Sequence, residues 1–163
     1  MSNEICLNKD TKIIFLDIDG VLNNYASLSV PTNEFFNYTS CDDFSCWYPP
    51  CVQQLKRIIK ETGAKLVLSS SWRHDAQDKV IEGLLAFNLE PFIDTTAIND
   101  CHIRRGFEIQ DWLDKHPEIT NYVIIDDMNE MLESQNSRFV HTSMDRGLTP
   151  ELAEQAIAIL NTT

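Results

Sequence analysis

The sequence predicts an α/β fold built on a parallel sheet of five strands. Short apolar runs alternate with segments whose apolar residues recur at helical spacing, a pattern typical of a doubly wound parallel sheet. Three of the apolar runs also end in carboxylate or hydroxyl side chains. Because ligands bind at the carboxyl ends of strands in such sheets, the pattern also predicts where a site lies.

The predicted strands are short apolar runs, as expected for strands buried on both faces. In order, they are residues 12–17, 64–68, 91–94, 122–125 and 138–140. The predicted helices have one apolar face each. They are residues 51–62, 75–87, 106–115 and a last segment from residue 150. Gly63 is placed to end the first helix, and Thr149 to cap the last one ahead of Pro150.

Residues 21–50 are predicted to form a small lid, inserted after the first strand of a single domain that spans residues 1–163. The segment has no sustained period, and long aperiodic loops in compact domains are usually lids or binding elements. Several of its side chains could either contact a substrate or pack against the body of the domain. They are Asn23, Phe35, Phe36, Tyr38, Trp47 and Tyr48.

Composition limits the possible partners. The net charge is −12, with 25 acidic and 13 basic residues, which argues against a broad nucleic-acid-binding surface. The sequence has no apolar run long enough for a membrane span and no signal-peptide pattern, so we expect a cytoplasmic protein. The five cysteines are odd in number and favour free thiols over a disulfide framework.

Polar side chains suited to phosphate chemistry follow three of the predicted strands. They are Asp17 and Asp19 after the first strand, Ser69 and Ser70 after the second, and Asp126 and Asp127 after the fourth. In a parallel sheet these strand ends share one edge. Carboxylates suit a hard divalent cation such as Mg²⁺, and serine hydroxyls can hold phosphate oxygens. Gly20 allows the chain to turn sharply after the first pair, and Arg105 is the candidate cation.

Four stretches of the chain resemble the motifs of the haloacid dehalogenase-like (HAD) superfamily. Residues 15–22 match its first motif, Ser69 its second and residues 123–127 its fourth in the paired-aspartate form, while Arg105 best fits the third. Residues 67–73 and 105–113 are similar to the small HAD domains of the Swiss Army Knife RNA-repair group. We therefore expect a Rossmann-like three-layer sandwich with strand order 3-2-1-4-5.

The resemblance implies a magnesium-dependent phosphomonoester hydrolase. Asp17 would attack phosphorus to form an aspartyl-phosphate, and Asp19 would exchange protons with the leaving group and water. Arg105 would neutralise the transferred phosphoryl group. The expected phosphate-binding residues are Ser69, Ser70, Gly20 and Arg73. Ser69 is favoured over Ser70 as the motif residue because of the strand length.

The expected Mg²⁺ ligands are Asp17, Asp127 and the backbone carbonyl of Asp19, with Asp126 behind Asp127. Asp126 and Asp127 could exchange their roles, so that Asp126 would be the direct ligand and Asp127 would lie behind it. Arg73 could form a salt bridge at the surface instead of contacting phosphate.

Two other functions stay open at this point. A polynucleotide end phosphatase in RNA or DNA repair suits the subgroup resemblance, while the charge of −12 argues against it. A non-catalytic phosphate- or nucleotide-binding module would have no need of both Asp17 and Asp19. We therefore expect the substrate to be a phosphorylated small molecule or a nucleic-acid end, with no membrane partner.

Overall fold

The computed structural model describes residues 7–28, 44–97 and 104–162. The strands in this part are β1 (Lys12–Leu16), β2 (Lys65–Leu68), β3 (Asp94–Thr95), β4 (Asn121–Asp126) and β5 (Phe139–His141). The α-helices are α1 (Tyr25–Leu28), α2 (Pro49–Thr62), α3 (Gln77–Ala86), α4 (Arg105–Lys115) and α5 (Pro150–Asn161). Short 3-10 helices span Phe44–Cys46, Ser71–Arg73 and Glu133–Arg138.

The five strands form one parallel sheet in the order β3-β2-β1-β4-β5. This result confirms the predicted fold class and strand order. β1 is the central strand, and Leu16 at its end pairs with Leu68 of β2 and Ile125 of β4. The residues that follow these three therefore lie level with one another at the carboxyl edge of the sheet.

Helices cover both faces of the sheet, so that the domain has three layers. Ile14 and Leu16 of β1 point to one face, where they join a core that includes residues of α2, α3 and α5. Ile13 and Phe15 point to the other face, towards Ile109 and the other buried residues of α4. Successive side chains of a strand alternate between faces, so a continuous apolar strand feeds both cores.

Most elements have boundaries that differ from the sequence prediction by one to three residues, and two of these differences are instructive. α2 begins at Pro49 rather than at residue 51; a proline is tolerated there because the first helical N–H has no partner within the helix. The third strand comprises only Asp94 and Thr95, rather than residues 91–94. It is this short because it pairs with β2 only at these two positions.

Both described ends of the predicted lid pack into the body of the domain. Val21 and Leu22 are buried, and Trp47 is only 2% exposed, with its ring stacked on Phe87 at a centroid distance of 6.3 Å. Packing is therefore the role of Trp47. Phe35, Phe36 and Tyr38 lie outside the described residues, and the lid stays a prediction.

The described cysteines differ from one another. Cys51 is a buried free thiol, as expected. Cys46 is disulfide-bonded, so the expectation of free thiols is wrong for that residue.

None of the helices within residues 7–28, 44–97 and 104–162 is long and apolar enough to cross a membrane.

Trp47→Ala should lower the free energy of unfolding by about 3–5 kcal/mol, the range for deleting a buried large aromatic side chain. The cause is the loss of contacts with Phe87 and with Gly83, which lies directly against the indole. Urea unfolding measures the change. Phe107→Ala is the matched control, because Phe107 is 52% exposed and its loss should change stability by only about 0.5 kcal/mol. Equal losses in the two variants would contradict the assignment of Trp47 to the core.

Candidate active site

The candidate active site lies where β1, β2 and β4 end. Asp17 follows β1, Ser69 follows β2, and Asp126 is the last residue of β4, ahead of Asp127. Asp17, Asp126 and Asp127 each offer one carboxylate oxygen, and these oxygens all lie within 4.8 Å of one another. The structure thus brings together the three strand ends that the sequence analysis selected.

Asp17 is buried at the centre of this group, with 4% of its surface exposed. Its Oδ1 accepts a hydrogen bond of 2.8 Å from the backbone N–H of Ile18, and its carboxylate also accepts one from the hydroxyl of Ser70. Burial raises the pKa of Asp17, and the nearby guanidinium of Arg105 opposes this shift. The side chain is therefore oriented and largely removed from solvent.

The ionised forms of both Asp126 and Asp127 are disfavoured by burial and by neighbouring negative charges. Burial, together with the charge of Asp17, raises the pKa of Asp126 to about 8 and also raises the pKa of Asp127. Asp126 Oδ1 accepts a hydrogen bond of 2.8 Å from the N–H of Met128. Its Oδ2 lies 3.7 Å from Arg105 Nε and is buried without a hydrogen-bond partner in residues 7–28, 44–97 and 104–162.

This donor set fits a hard divalent cation. Three acidic groups in one place repel one another, and no described residue donates a hydrogen bond to Asp126 Oδ2. Mg²⁺ prefers such carboxylate oxygens as ligands and would offset their charge. Asp17, Asp126 and Asp127 would hold it. The placement of Asp126 behind Asp127 and the use of the Asp19 carbonyl stay predictions.

Gly20 makes room for Asp127. Its φ is +67°, and a Cβ built on it would lie 2.6 Å from Asp127 Oδ2. Its backbone N–H donates to Asn23 Oδ1 at 3.0 Å. The close approach to Asp127 and the positive φ both require glycine at this position. The phosphate contact predicted for Gly20 stays a prediction.

Asp19 is held by two side chains. Asn23 Nδ2 donates to its Oδ1 at 2.8 Å, and Trp72 Nε1 donates to its Oδ2 at 2.9 Å. The sequence analysis did not connect either residue with Asp19. A possible signal is the indole N–H of Trp72, three positions after the strand-end Ser69, since a buried indole usually needs a hydrogen-bond acceptor.

The two serines after β2 differ in their contacts. Ser70 Oγ accepts a hydrogen bond of 3.3 Å from the N–H of Trp72 and donates to Asp17. Ser69 Oγ is buried and has no hydrogen-bond partner among the described residues. Ser69 therefore has the hydroxyl that is available to a ligand.

Arg105 is 8% exposed at the start of α4. Its Nη1 lies 4.0 Å from Asp17 Oδ1 and, within the part of the chain that the structure describes, has no hydrogen-bond partner. A cation at a helix N-terminus opposes the helix dipole, and the carboxylates of Asp17 and Asp126 compensate for this cost. The predicted cation thus lies beside the predicted nucleophile.

Arg73 lies inside the protein, with 3% of its surface exposed. It forms a buried ion pair with Glu108, in which Nη2 is 2.7 Å from Oε1. The alternative of a surface salt bridge is therefore wrong. A phosphate contact of Arg73 stays a prediction.

A parallel sheet in this order, with carboxylates converging at the ends of β1 and β4, is typical of HAD-like hydrolases. The family model described as the HAD domain in Swiss Army Knife RNA repair proteins matches residues 13–153. The chain belongs to this family, which confirms the resemblance and makes it a hydrolase of the HAD type.

Comparison with solved structures finds a haloacid dehalogenase-like family hydrolase from Streptococcus pneumoniae. It is 12% identical, with a TM-score of 0.48, and the match covers 90% of this chain and 91% of that chain. No curated protein matches the chain.

Gly20→Ala should impair cation binding by pushing Asp127 aside. Gly63→Ala is the matched control, because Gly63 has φ +70° but nothing within 4 Å of the added Cβ. In both variants alanine must adopt a left-handed backbone conformation, which costs about 1–2 kcal/mol. Only Gly20→Ala adds a clash, with Asp127. We expect the rise in melting temperature caused by Mg²⁺ to persist in Gly63→Ala and to shrink in Gly20→Ala. Equal Mg²⁺ responses would contradict this account of Gly20.

The metal-free protein should lose thermal stability as pH rises through the range below about pH 8. Asp126 has a pKa raised from 3.8 to about 8, so the folded state retains a proton that the unfolded chain has already released. Unfolding then releases a proton, and the free energy of unfolding falls with increasing pH.

Melting temperatures in chelator, measured from about pH 5 to pH 8, test this slope. Asp126→Asn should make the slope shallower and raise the stability at the upper end. Asp75→Asn removes an exposed carboxylate and should leave the slope unchanged. An Asp126→Asn slope as steep as that of the wild type would show that Asp126 is not the titrating group.

Proposed function

We propose that the chain is a Mg²⁺-dependent phosphomonoesterase that acts through an aspartyl-phosphate on Asp17. The convergence of Asp17, Asp126 and Asp127 beside Arg105 supports the proposal most strongly. A phosphoryl group entering this place would meet a nucleophile, a cation-binding group and buried hydrogen-bond donors together. Membership of a family of HAD hydrolase domains supports the same reaction class.

In the first step, a carboxylate oxygen of Asp17 forms a bond to phosphorus while the bond from phosphorus to the leaving oxygen breaks. The N–H of Ile18 orients the nucleophilic carboxylate. Asp19, in its protonated form, gives its proton to the leaving oxygen, so that a neutral alcohol departs. Since both oxygens of Asp19 accept hydrogen bonds, one of these bonds must lengthen when Asp19 carries the proton.

In the second step, water attacks phosphorus, and Asp19 takes a proton from that water. The bond between phosphorus and the Asp17 oxygen then breaks, which releases inorganic phosphate and restores the Asp17 carboxylate. Asn23 and Trp72 hold the Asp19 carboxylate in one orientation through their hydrogen bonds to its two oxygens. The same residue thus serves as acid and then as base.

The negative charge of the transferring phosphoryl group needs compensation. Arg105 Nη1 and Ser69 Oγ are buried polar groups without a hydrogen-bond partner in the structure, and both can donate to phosphoryl oxygens. Mg²⁺ held by the three aspartates would supply further electrostatic stabilisation. Buried, preoriented donors are effective because they do not have to reorganise during the reaction.

Asp17→Asn should abolish hydrolysis of a generic aryl phosphate, because the amide cannot act as the nucleophile. The fold should persist, since Asn is nearly isosteric with Asp. Steady-state kinetics in Mg²⁺, alongside melting temperature, give the measurement. Asp114→Asn, on the exposed side of α4, is the control and should retain activity.

Excess chelator should abolish the wild-type activity, and added Mg²⁺ should restore it. Activity of the Asp17→Asn variant would refute the assignment of Asp17 as the nucleophile. Phosphate binding without turnover of any ester would favour a non-catalytic module instead.

A polynucleotide end phosphatase is the second candidate. The family description supports it, and so do three exposed apolar side chains in segments that begin near the carboxyl edge of the sheet. They are Tyr25, Phe107 and Met128, which are 56%, 52% and 44% exposed. Exposed aromatic rings can stack on bases of single strands.

This candidate predicts a higher kcat/KM for end-phosphorylated RNA oligonucleotides than for the matching mononucleotide. Tyr25→Ala and Phe107→Ala should then reduce only the oligonucleotide rate. Equal rates on both substrates, in wild type and variants alike, would favour a small-molecule phosphatase.

A further inference from the structure

A row of buried, alternating charges runs beside the site. Glu108 lies in the first turn of α4 and is 5% exposed. One of its oxygens lies 2.7 Å from Arg73 Nη2, and the other lies 3.9 Å from Arg105 Nε. Arg105 in turn lies beside the carboxylates of Asp17 and Asp126. The signs therefore alternate from Arg73, through Glu108 and Arg105, to the proposed nucleophile.

Arg73 anchors the outer end of this row to the strand that carries the serines. Its Nη1 donates to the carbonyl oxygens of Ser69 and Ser70, at 3.1 and 2.6 Å. Its Nη2 also donates to the carbonyl oxygen of Ala97 at 3.5 Å. Glu108 is thus tied through Arg73 to the backbone at the end of β2. The ion pair couples the start of α4 to that strand end.

Arg105 lies between Glu108 and the carboxylates of the site. Its nitrogens lie 3.9 Å from Glu108, 3.7 Å from Asp126 and 4.0 Å from Asp17. Each distance exceeds the roughly 2.7–2.9 Å of a close, charge-assisted hydrogen bond. The guanidinium is attracted from both sides and forms a close hydrogen bond with neither Glu108 nor the carboxylates of the site. Its Nη1 is buried and accordingly has no hydrogen-bond partner in the described part of the chain.

We infer that Glu108 is a positioning residue that holds Arg105 back from Asp17. Without the charge of Glu108, the attraction would act only towards Asp17 and Asp126, and the guanidinium would close on Asp17 in a direct hydrogen bond. Such a pair would engage one carboxylate oxygen of the proposed nucleophile together with the donor that serves the phosphoryl group. The inference rests on the proposed roles of Asp17 and Arg105 and extends them to Glu108 and its anchor, Arg73.

A purely structural role for the ion pair makes a different prediction. Removing one partner of a buried pair is destabilising wherever the pair lies, because it leaves an uncompensated charge. A structural loss would therefore be the same whether or not Arg105 is present. A positioning role requires the kinetic effect of changing Glu108 to depend on Arg105. A double-mutant cycle separates the two.

The cycle compares the wild type with Glu108→Gln, Arg105→Ala and the double variant. Hydrolysis of a small aryl phosphate in Mg²⁺ is measured well below each melting temperature. Glu108→Gln should lower kcat by about tenfold or more while KM changes by no more than about threefold. The double variant should be no slower than Arg105→Ala alone. Losses that multiply in the double variant would overturn the inference.

Two further variants complete the kinetic test. Asp114→Asn removes a carboxylate from the exposed side of the same helix and should leave kcat unchanged. If Glu108→Gln fails to fold, Arg73→Lys replaces it in the cycle. Lysine keeps the charge but cannot bridge the Ser69 carbonyl and Glu108 with a rigid fork. Arg73→Lys should lower kcat by less than Glu108→Gln does, and this loss should likewise disappear in the Arg105→Ala background. A loss of kcat that persists there would overturn the inference.

A crystal structure of Glu108→Gln tests the inference without relying on activity. The distance from Arg105 Nη1 to Asp17 Oδ1 should shorten from 4.0 Å to about 2.8 Å. If that variant does not fold, Arg73→Lys takes its place; Glu108, no longer held by the fork of Arg73, should then close on Arg105, and the distance from Arg105 Nε to Glu108 Oε2 should shorten from 3.9 Å to about 2.8 Å. An unchanged distance would overturn the positioning role. If the wild type hydrolyses no phosphate ester, the proposed function fails, and this distance still decides the role of Glu108.

Discussion

The parallel pairing of β1 with β2 and β4 sets the register on which the site depends. Because Leu16 lies opposite both Leu68 and Ile125, the next residue of each strand reaches the carboxyl edge at the same level. A slip of one residue would turn a strand's side chains to the opposite face of the sheet. The cores on both faces of β1 oppose such a slip, since Ile13 and Ile14 belong to different cores. Hydrophobic packing therefore determines which polar groups meet.

The edge formed in this way works against the stability of the fold. It gathers carboxylates where burial raises the pKa of Asp17 and Asp126, and it places Arg105 at the positive end of a helix dipole. Neither arrangement favours folding by itself. Both would become favourable with the cation and the anionic group that the proposed reaction brings to this edge. Sites that bind charged ligands are where local rules of stability are commonly broken.

The sequence allowed the strands, the strand-end residues and the family motifs to be predicted, because these features are local runs of residues. Contacts between residues that are far apart in the sequence produce no such local pattern. The hydrogen bond from Trp72 to Asp19 spans 53 positions, and the ion pair of Arg73 with Glu108 spans 35. Trp47 lies in an aperiodic segment, where no repeat separates a core aromatic from a lid aromatic. The limits of β3 depend on its pairing with β2 rather than on its own residues.

The lengths of the strands also bear on how the protein associates with other chains. Among the strands of residues 7–28, 44–97 and 104–162, the outermost, β3 and β5, have two and three residues, whereas β1 and β4 have five and six. An outer strand presents unpaired backbone groups that can template a further strand from another molecule, and short outer strands limit this. The described sheet thus offers little length for strand addition or for growth into a fibre.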